Sequence, residues 1–159
     1  MNGEFNLSDL MKEELILLKE RDGSKLEVIA ALVDLLVKAG KVRNSDELLS
    51  TIWDRERHCS TGIGRGVAIP HGRTNAVRDI IIAFAKIGEG IDFQALDGKP
   101  VHLVFLLVTP EKDAGRYLQA LSRLSRLLKK NNFRQRLLQA QEPSEVIRIF
   151  REEEYSYKP

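Results

Sequence analysis

The chain is short of the features that would set it apart from an ordinary folded domain. Its 159 residues include one cysteine, Cys59, so no internal disulfide can staple it, which fits a reducing compartment. No apolar run reaches the roughly 18 residues that a membrane helix needs. Met1 to Asp9 lacks the basic-then-apolar layout of a signal peptide. These absences predict a cytoplasmic protein. Neither sign of charge dominates: the formal net charge is +2, so bulk electrostatics names no acidic or nucleic-acid partner. Repeats, low-complexity segments and linkers are missing too. The apolar fraction, 43%, argues against disorder. One domain is expected, long enough to bury roughly 68–70% of the unfolded chain's surface.

What is present reads as alternating helices and strands. Leu15–Leu18 is a short apolar run closed by Lys19 to Gly23, a strand pattern. Ser24 with Glu27 three residues on has capping-box spacing, and Leu26, Ile29, Ala30, Val33, Leu36 and Val37 form one helical face that Gly40 ends. Ser45 is placed to cap a second helix, striped by Leu48, Leu49, Ile52 and Trp53 and closed by Arg55, Glu56 and Arg57. Ile80–Ala85 is apolar on both faces, as in a central strand. Ile91–Leu96 is a shorter candidate, joined by an Asp97-Gly98 turn to the strand Val101–Val108. Helical spacing returns from Asp113, with Tyr117, Leu118, Leu121, Leu124, Leu127 and Leu128 on one face. It continues around Asn132–Gln139 and from Pro143-Ser144 onward. The pattern predicts an α/β fold with helices on both faces of a sheet, and the Asp97-Gly98 hairpin makes that sheet mixed.

The unusual chemistry lies between the second helix and the first long strand. Gly62, Gly64 and Gly66 alternate after Ser60 and Thr61, and Val67-Ala68-Ile69 leads into Pro70 and His71. Proline fixes its own φ and biases the preceding residue towards extended backbone, so His71 should stand at a rigid strand end. Gly72 removes bulk beside the imidazole, giving a large partner room to approach. A neutral imidazole is a nucleophile, and phosphoryl transfer asks the protein mainly for placement and neutralised oxygens. The Ser60 and Thr61 hydroxyls, amides near Gly62 and the forked guanidinium of Arg55 are the candidates for that task.

The segments Asp54-Arg55-Glu56, Ser60-Thr61-Gly62-Ile63-Gly64 and Gly66-Val67-Ala68-Ile69-Pro70-His71-Gly72 resemble the signature of enzyme IIA of the fructose/mannitol type. Such domains are phosphocarriers of the bacterial phosphoenolpyruvate-dependent phosphotransferase system. The similarity extends through Phe93, Asp97-Gly98-Lys99-Pro100-Val101 and Leu118-Gln119-Ala120-Leu121, and covers residues 7–153, with 1–6 and 154–159 left as flexible termini. The resemblance implies a single domain with a mixed sheet sandwiched by helices. It implies that His71 accepts a phosphoryl group from phospho-HPr and hands it to a IIB partner, with Arg55 as the active-site arginine. It implies no metal and no organic cofactor. At Tyr117 the chain departs from the many members that carry a second histidine there. A phenol can donate a hydrogen bond to the ring or the phosphate but carries no positive charge. With no appended domain in view, the resemblance points to a free-standing component, serving sugar uptake or a regulatory role of the nitrogen-related kind.

Rival sites are weaker. His58-Cys59 with His71 does not match zinc-ligand spacings, Cys59 has no base in view, and His102 in an apolar strand reads as structural. The Gly62, Gly64, Gly66 pattern is neither a P-loop nor a dinucleotide fingerprint. The basic residues from Arg116 to Arg136 interleave with leucines at helical spacing, which describes a solvated helix face better than a nucleic-acid site.

Overall fold

The computed structural model describes residues 5–18 and 23–157. Two 3₁₀ turns, Leu7–Leu10 and Glu13–Leu15, lead into β1 (Ile16–Leu17). Then come α1 (Lys25–Lys38), α2 (Ser45–His58), β2 (Gly62–Gly64), β3 (Val67–Ala68), β4 (His71–Arg73), β5 (Ile81–Ile91) and β6 (Val101–Thr109). Three helices finish the chain: α3 (Ala114–Leu128), α4 (Asn131–Gln139) and α5 (Pro143–Tyr157). The predicted strand at Leu15–Leu18 is thus shorter, with Leu15 in a 3₁₀ turn, and its expected end at Lys19 to Asp22 lies outside the described residues.

The sheet runs β1-β5-β6-β3-β2, and β4 follows β3 along the same side of β6. β5 and β6 are antiparallel; β1 lies parallel to β5, and β3 and β4 lie parallel to β6. The sheet is therefore mixed. Strand alternation divides its two faces. Ile82, Phe84, Leu103, Phe105 and Leu107 pack into a core with Leu124, Phe133, Val146 and Phe150 of α3, α4 and α5. Ile81, Ala83, Val104, Leu106 and Val108 pack with Ile29, Leu36, Leu48 and Ile52 of α1 and α2. Both faces are covered, so the central strands can be apolar throughout. The fold is the helix-sheet-helix sandwich expected.

The caps follow the sequence closely. Ser24 Oγ accepts from Glu27 N–H (3.1 Å), and Glu27 Oε1 accepts in return from Ser24 N–H (3.1 Å). Asn44, rather than Ser45, caps α2 through its Oδ1. The hairpin differs from expectation. Ile91–Leu96 is no separate strand, because β5 runs on to Ile91 through a register shift after Lys86. Asp92 Oδ1 then accepts from Gln94 N–H (2.9 Å), and Gln94 takes φ +55, which breaks extended pairing.

At the far end, α5 continues to Tyr157, into the stretch expected to be a loose tail from 154. Glu154 is buried and accepts from the N–H groups of Leu7 (2.5 Å) and Ser8 (3.0 Å), tying α5 to the first 3₁₀ turn. Several residues of the basic segment are also engaged within the chain. Arg116 and Arg123 lie against the ring of Phe5, Arg134 donates to Leu128 O, and Arg136 pairs with Glu152. Among the described residues no helix is long and apolar enough to cross a membrane.

Candidate phosphoryl-transfer site

Pro70 interrupts a strand without ending its alternation. β3 and β4 both run along β6, and the Pro70 carbonyl between them accepts from Leu107 N–H (3.0 Å). Val67 and Ile69 face the α3–α5 core, and Ala68 faces α1 and α2. His71 comes two residues after Ile69, and its ring meets that of Tyr117 on α3, with centroids 5.9 Å apart. Gly72 lies against the other side. A Cβ there would stand 3.0 Å from Ile52 Cδ1 and 3.3 Å from Thr51 Cγ2. The glycine therefore also lets β4 approach α2, a packing role that adds to the expected room beside the imidazole.

The ring of His71 is held in one tautomer. Nδ1 stands 2.6 Å from the carbonyl oxygen of Ile69. A carbonyl only accepts, so Nδ1 carries the proton and Nε2 keeps its lone pair. Nε2 has no hydrogen-bond partner among the described residues. Burial holds the pKa of His71 below the usual histidine value, and the Arg55 guanidinium pushes the same way. The Ile69 bond and the Glu56 carboxylate oppose them. The ring is neutral at physiological pH.

A cleft of about 440 Å³ opens beside it, lined by Thr51 and Arg55 of α2, His71, Gly72 and Arg73 of β4, Glu111 and Tyr117. Arg55 Nη1 donates to Cys59 O (2.9 Å), which steadies the guanidinium at the end of α2. Burial raises the pKa of the Tyr117 hydroxyl, with Arg55 and Arg73 pulling it down, so the phenol keeps its proton. Glu111 and Asn75 bond each other reciprocally, N–H to Oδ1 and Nδ2 to Oε2, both at 3.2 Å.

The structure thus brings His71, Arg55 and Tyr117 together. Ser60, Thr61 and Gly62, expected as phosphate stabilisers, are not among the lining residues, and their polar groups bond to other parts of the chain. Thr61 donates to Glu56 through both its hydroxyl (2.5 Å) and its N–H (2.9 Å). The Ser60 hydroxyl donates to Phe93 O (2.7 Å) and accepts from Gly62 N–H (3.0 Å). Gly62 is a glycine because the chain passes so close to Ala95 that a Cβ would fall 2.7 Å from Ala95 Cβ. Glu56 is buried, 2% exposed, and is neutralised by Lys25 Nζ at 2.7 Å. Thr61 O in turn accepts from Ile69 N–H (3.0 Å), whose own carbonyl orients His71. A buried ion pair therefore sits behind the loop that holds the imidazole.

The family model described as "Phosphoenolpyruvate-dependent sugar phosphotransferase system, EIIA 2" matches residues 9–153. The chain belongs to this EIIA family. It is 40% identical to a "PTS system fructose-specific EIIA component" of Haloferax volcanii, over 92% of this chain and 96% of that protein. It is 39% identical to a "PTS system fructose-specific EIIABC component" of Bacillus subtilis, over 91% of this chain but only 23% of the longer relative. Among solved structures, the nitrogen regulatory protein IIA-Ntr of Neisseria meningitidis superposes with a TM-score of 0.82 at 33% identity, covering 91% of this chain and 98% of that one. As an EIIA chain it is a phosphoryl carrier of the phosphotransferase system.

Within the EIIA fold the remaining histidines are tied to backbone. His58 Nδ1 lies 2.6 Å from Asp54 O, and His102 Nδ1 lies 3.0 Å from Ile87 O. Among the described residues no group of three or more His, Cys, Asp or Glu side chains could hold a metal. Sequence reasoning missed Arg73, Glu56 and Lys25. Arg73 had a signal, since it follows His71 by two on a strand and so shares its face. Glu56 stands in the signature segment Asp54-Arg55-Glu56, but nothing local joins it to Lys25, so far away in the chain.

Proposed function

We propose that His71 is the phosphoryl acceptor, taking the group from phospho-HPr on Nε2 and passing it to a IIB partner in sugar uptake. The observation that carries this reading is the 2.6 Å bond from Nδ1 to Ile69 O, which leaves the Nε2 lone pair available on a ring lining a cleft with two arginines. The Nε2 lone pair forms the new bond to phosphorus as the bond to the donor's leaving atom breaks, and that atom keeps the electron pair. His71 retains its Nδ1 proton, so the ring becomes cationic and the Ile69 carbonyl stabilises it. Arg55, which lines the cleft, takes a phosphoryl oxygen in this reading, and the neutral Tyr117 hydroxyl of the same cleft donates a hydrogen bond. These residues neutralise and orient the group, which is most of what phosphoryl transfer asks. The names of the Haloferax volcanii and Bacillus subtilis relatives point to fructose as the sugar, and such a role belongs in the cytoplasm. The test is labelling from phosphoenolpyruvate through enzyme I and HPr. One label per chain is expected in the parent protein and none in His71→Ala; label that survives the substitution removes the assignment.

A second reading is favoured by the likeness to IIA-Ntr and by a tyrosine at position 117. In it the same phosphorylation switches binding to a regulatory protein. Pull-downs with the phosphorylated and unphosphorylated forms separate the two. Rapid transfer to a IIB domain, with no partner selective for one form, excludes the regulatory reading.

A further inference from the structure

The assignment of His71 as acceptor leaves one cation in the cleft without a stated role. Arg73 and His71 are two apart on β4, and side chains so spaced point to the same face of a strand. The intervening Gly72 faces α2 instead. The backbone under Arg73 is clamped: β4 pairs with β6 at His71↔Leu107 and Arg73↔Thr109, and Thr74 N–H donates to Thr109 O (2.9 Å). Yet the guanidinium makes no hydrogen bond and no ion pair among the described residues. Arg55, by contrast, is partly committed to Cys59 O. Glu111, the carboxylate of the cleft, is engaged with Asn75 rather than with either arginine. The charge of Arg73 is nevertheless felt inside the site, since it acts on the Tyr117 hydroxyl.

A phosphoryl group brings up to about two negative charges near neutral pH. Tyr117 is a neutral phenol and offsets none of that charge. We propose that Arg73 is a second phosphate-binding cation of this site, donating from its free guanidinium to an oxygen of the phosphoryl group on His71. The inference rests on His71 being the acceptor. It adds that the positive charge opposite Arg55 comes from the strand carrying the nucleophile rather than from α3.

The experiment is the equilibrium of phosphoryl exchange with HPr. Phospho-HPr is mixed with the unphosphorylated protein, exchange is run to completion, and both phosphorylated species are measured. The parent protein is compared with Arg73→Gln, Arg73→Lys and His71→Ala. A residue that binds the phosphoryl group stabilises the phosphorylated form itself. Arg73→Gln should therefore shift the equilibrium towards phospho-HPr by about tenfold, the low end for a charge-assisted hydrogen bond at an exposed side chain. Arg73→Lys should recover most of that shift, because the charge remains. A residue that only helps HPr dock slows both directions alike and leaves the equilibrium where it was. An equilibrium unchanged in Arg73→Gln thus overturns the proposal, whether or not the rates fall. An Arg73→Lys variant no better than Arg73→Gln, with both folded by circular dichroism, overturns it as well. A parent protein that accepts no label, or label that survives His71→Ala, instead counts against His71 as acceptor.

Discussion

At the scale of single residues, the main result is that a backbone carbonyl decides which nitrogen of His71 is available. Pro70 and the paired strand hold Ile69 O where Nδ1 must donate to it. The rigid strand-Pro-His arrangement was legible in the sequence, because proline restricts both itself and its predecessor. The hydroxyls of Ser60 and Thr61 were not legible in the same way. A serine beside glycines reads alike whether it faces a ligand or a neighbouring carbonyl, and here both hydroxyls turn inward. The depressed pKa of His71 has a consequence with a definite sign. Phosphoryl acceptance should persist below pH 6.5, the ordinary histidine value, and fall only as pH drops through the lower native pKa. Arg55→Gln removes one of the influences that lower it, so NMR titration of the imidazole should show the pKa moving up. The linkage to stability runs in the same window. Below about pH 6.5 the unfolded chain takes up this proton before the native one does, so acidification removes stability there. A native pKa at or above 6.5 contradicts this account.

At the scale of elements, periodicity located the five α-helices, but two of the predicted apolar stripes were too wide. Leu26 on α1 and Leu118 on α3 are exposed, at 41% and 62%, because each lies outside the arc that its helix buries. The Asp97-Gly98 turn exists, with Gly98 at φ +70, but the strand expected before it does not. Glu89 and Gly90 belong to the irregular stretch that carries β5 on to Ile91. Long-range pairing was invisible in the sequence, and the Lys25–Glu56 bridge is the clearest case. It joins the first turn of α1 to the last turn of α2, and Lys25 Nζ also reaches Gln94 Oε1 (3.2 Å) and lies 5.0 Å from the Phe93 ring centroid. Removing one partner of a buried pair strands the other charge. Lys25→Met should therefore lower the unfolding free energy by about 3 kcal/mol in urea denaturation, since Glu56 stays buried. A loss under about 1 kcal/mol would be the behaviour of an exposed pair, and would show that the bridge does not brace the loop.

At the scale of the whole molecule, the sandwich explains where the site is. β4 and β6 run parallel, and their carboxyl ends finish at Arg73 and Thr109. At that end α2 covers one face of the sheet and α3 the other. Arg55 from one layer and Tyr117 from the other therefore meet His71 across the strand ends, where open α/β sheets commonly bind ligands. The alternation that buries Val67 and Ile69 is the same alternation that presents His71 and Arg73. Fold class was legible from the order of buried strands and helices. The meeting of α2 and α3 over β4 depends on strand order, which no local pattern encodes. The most direct test of the account is a nitrogen-resolved NMR spectrum of the protein phosphorylated by phospho-HPr. The account predicts phosphorus bound to Nε2 of His71, with the Nδ1 proton still present and hydrogen-bonded. Phosphorus on Nδ1, or on any other side chain, would contradict it.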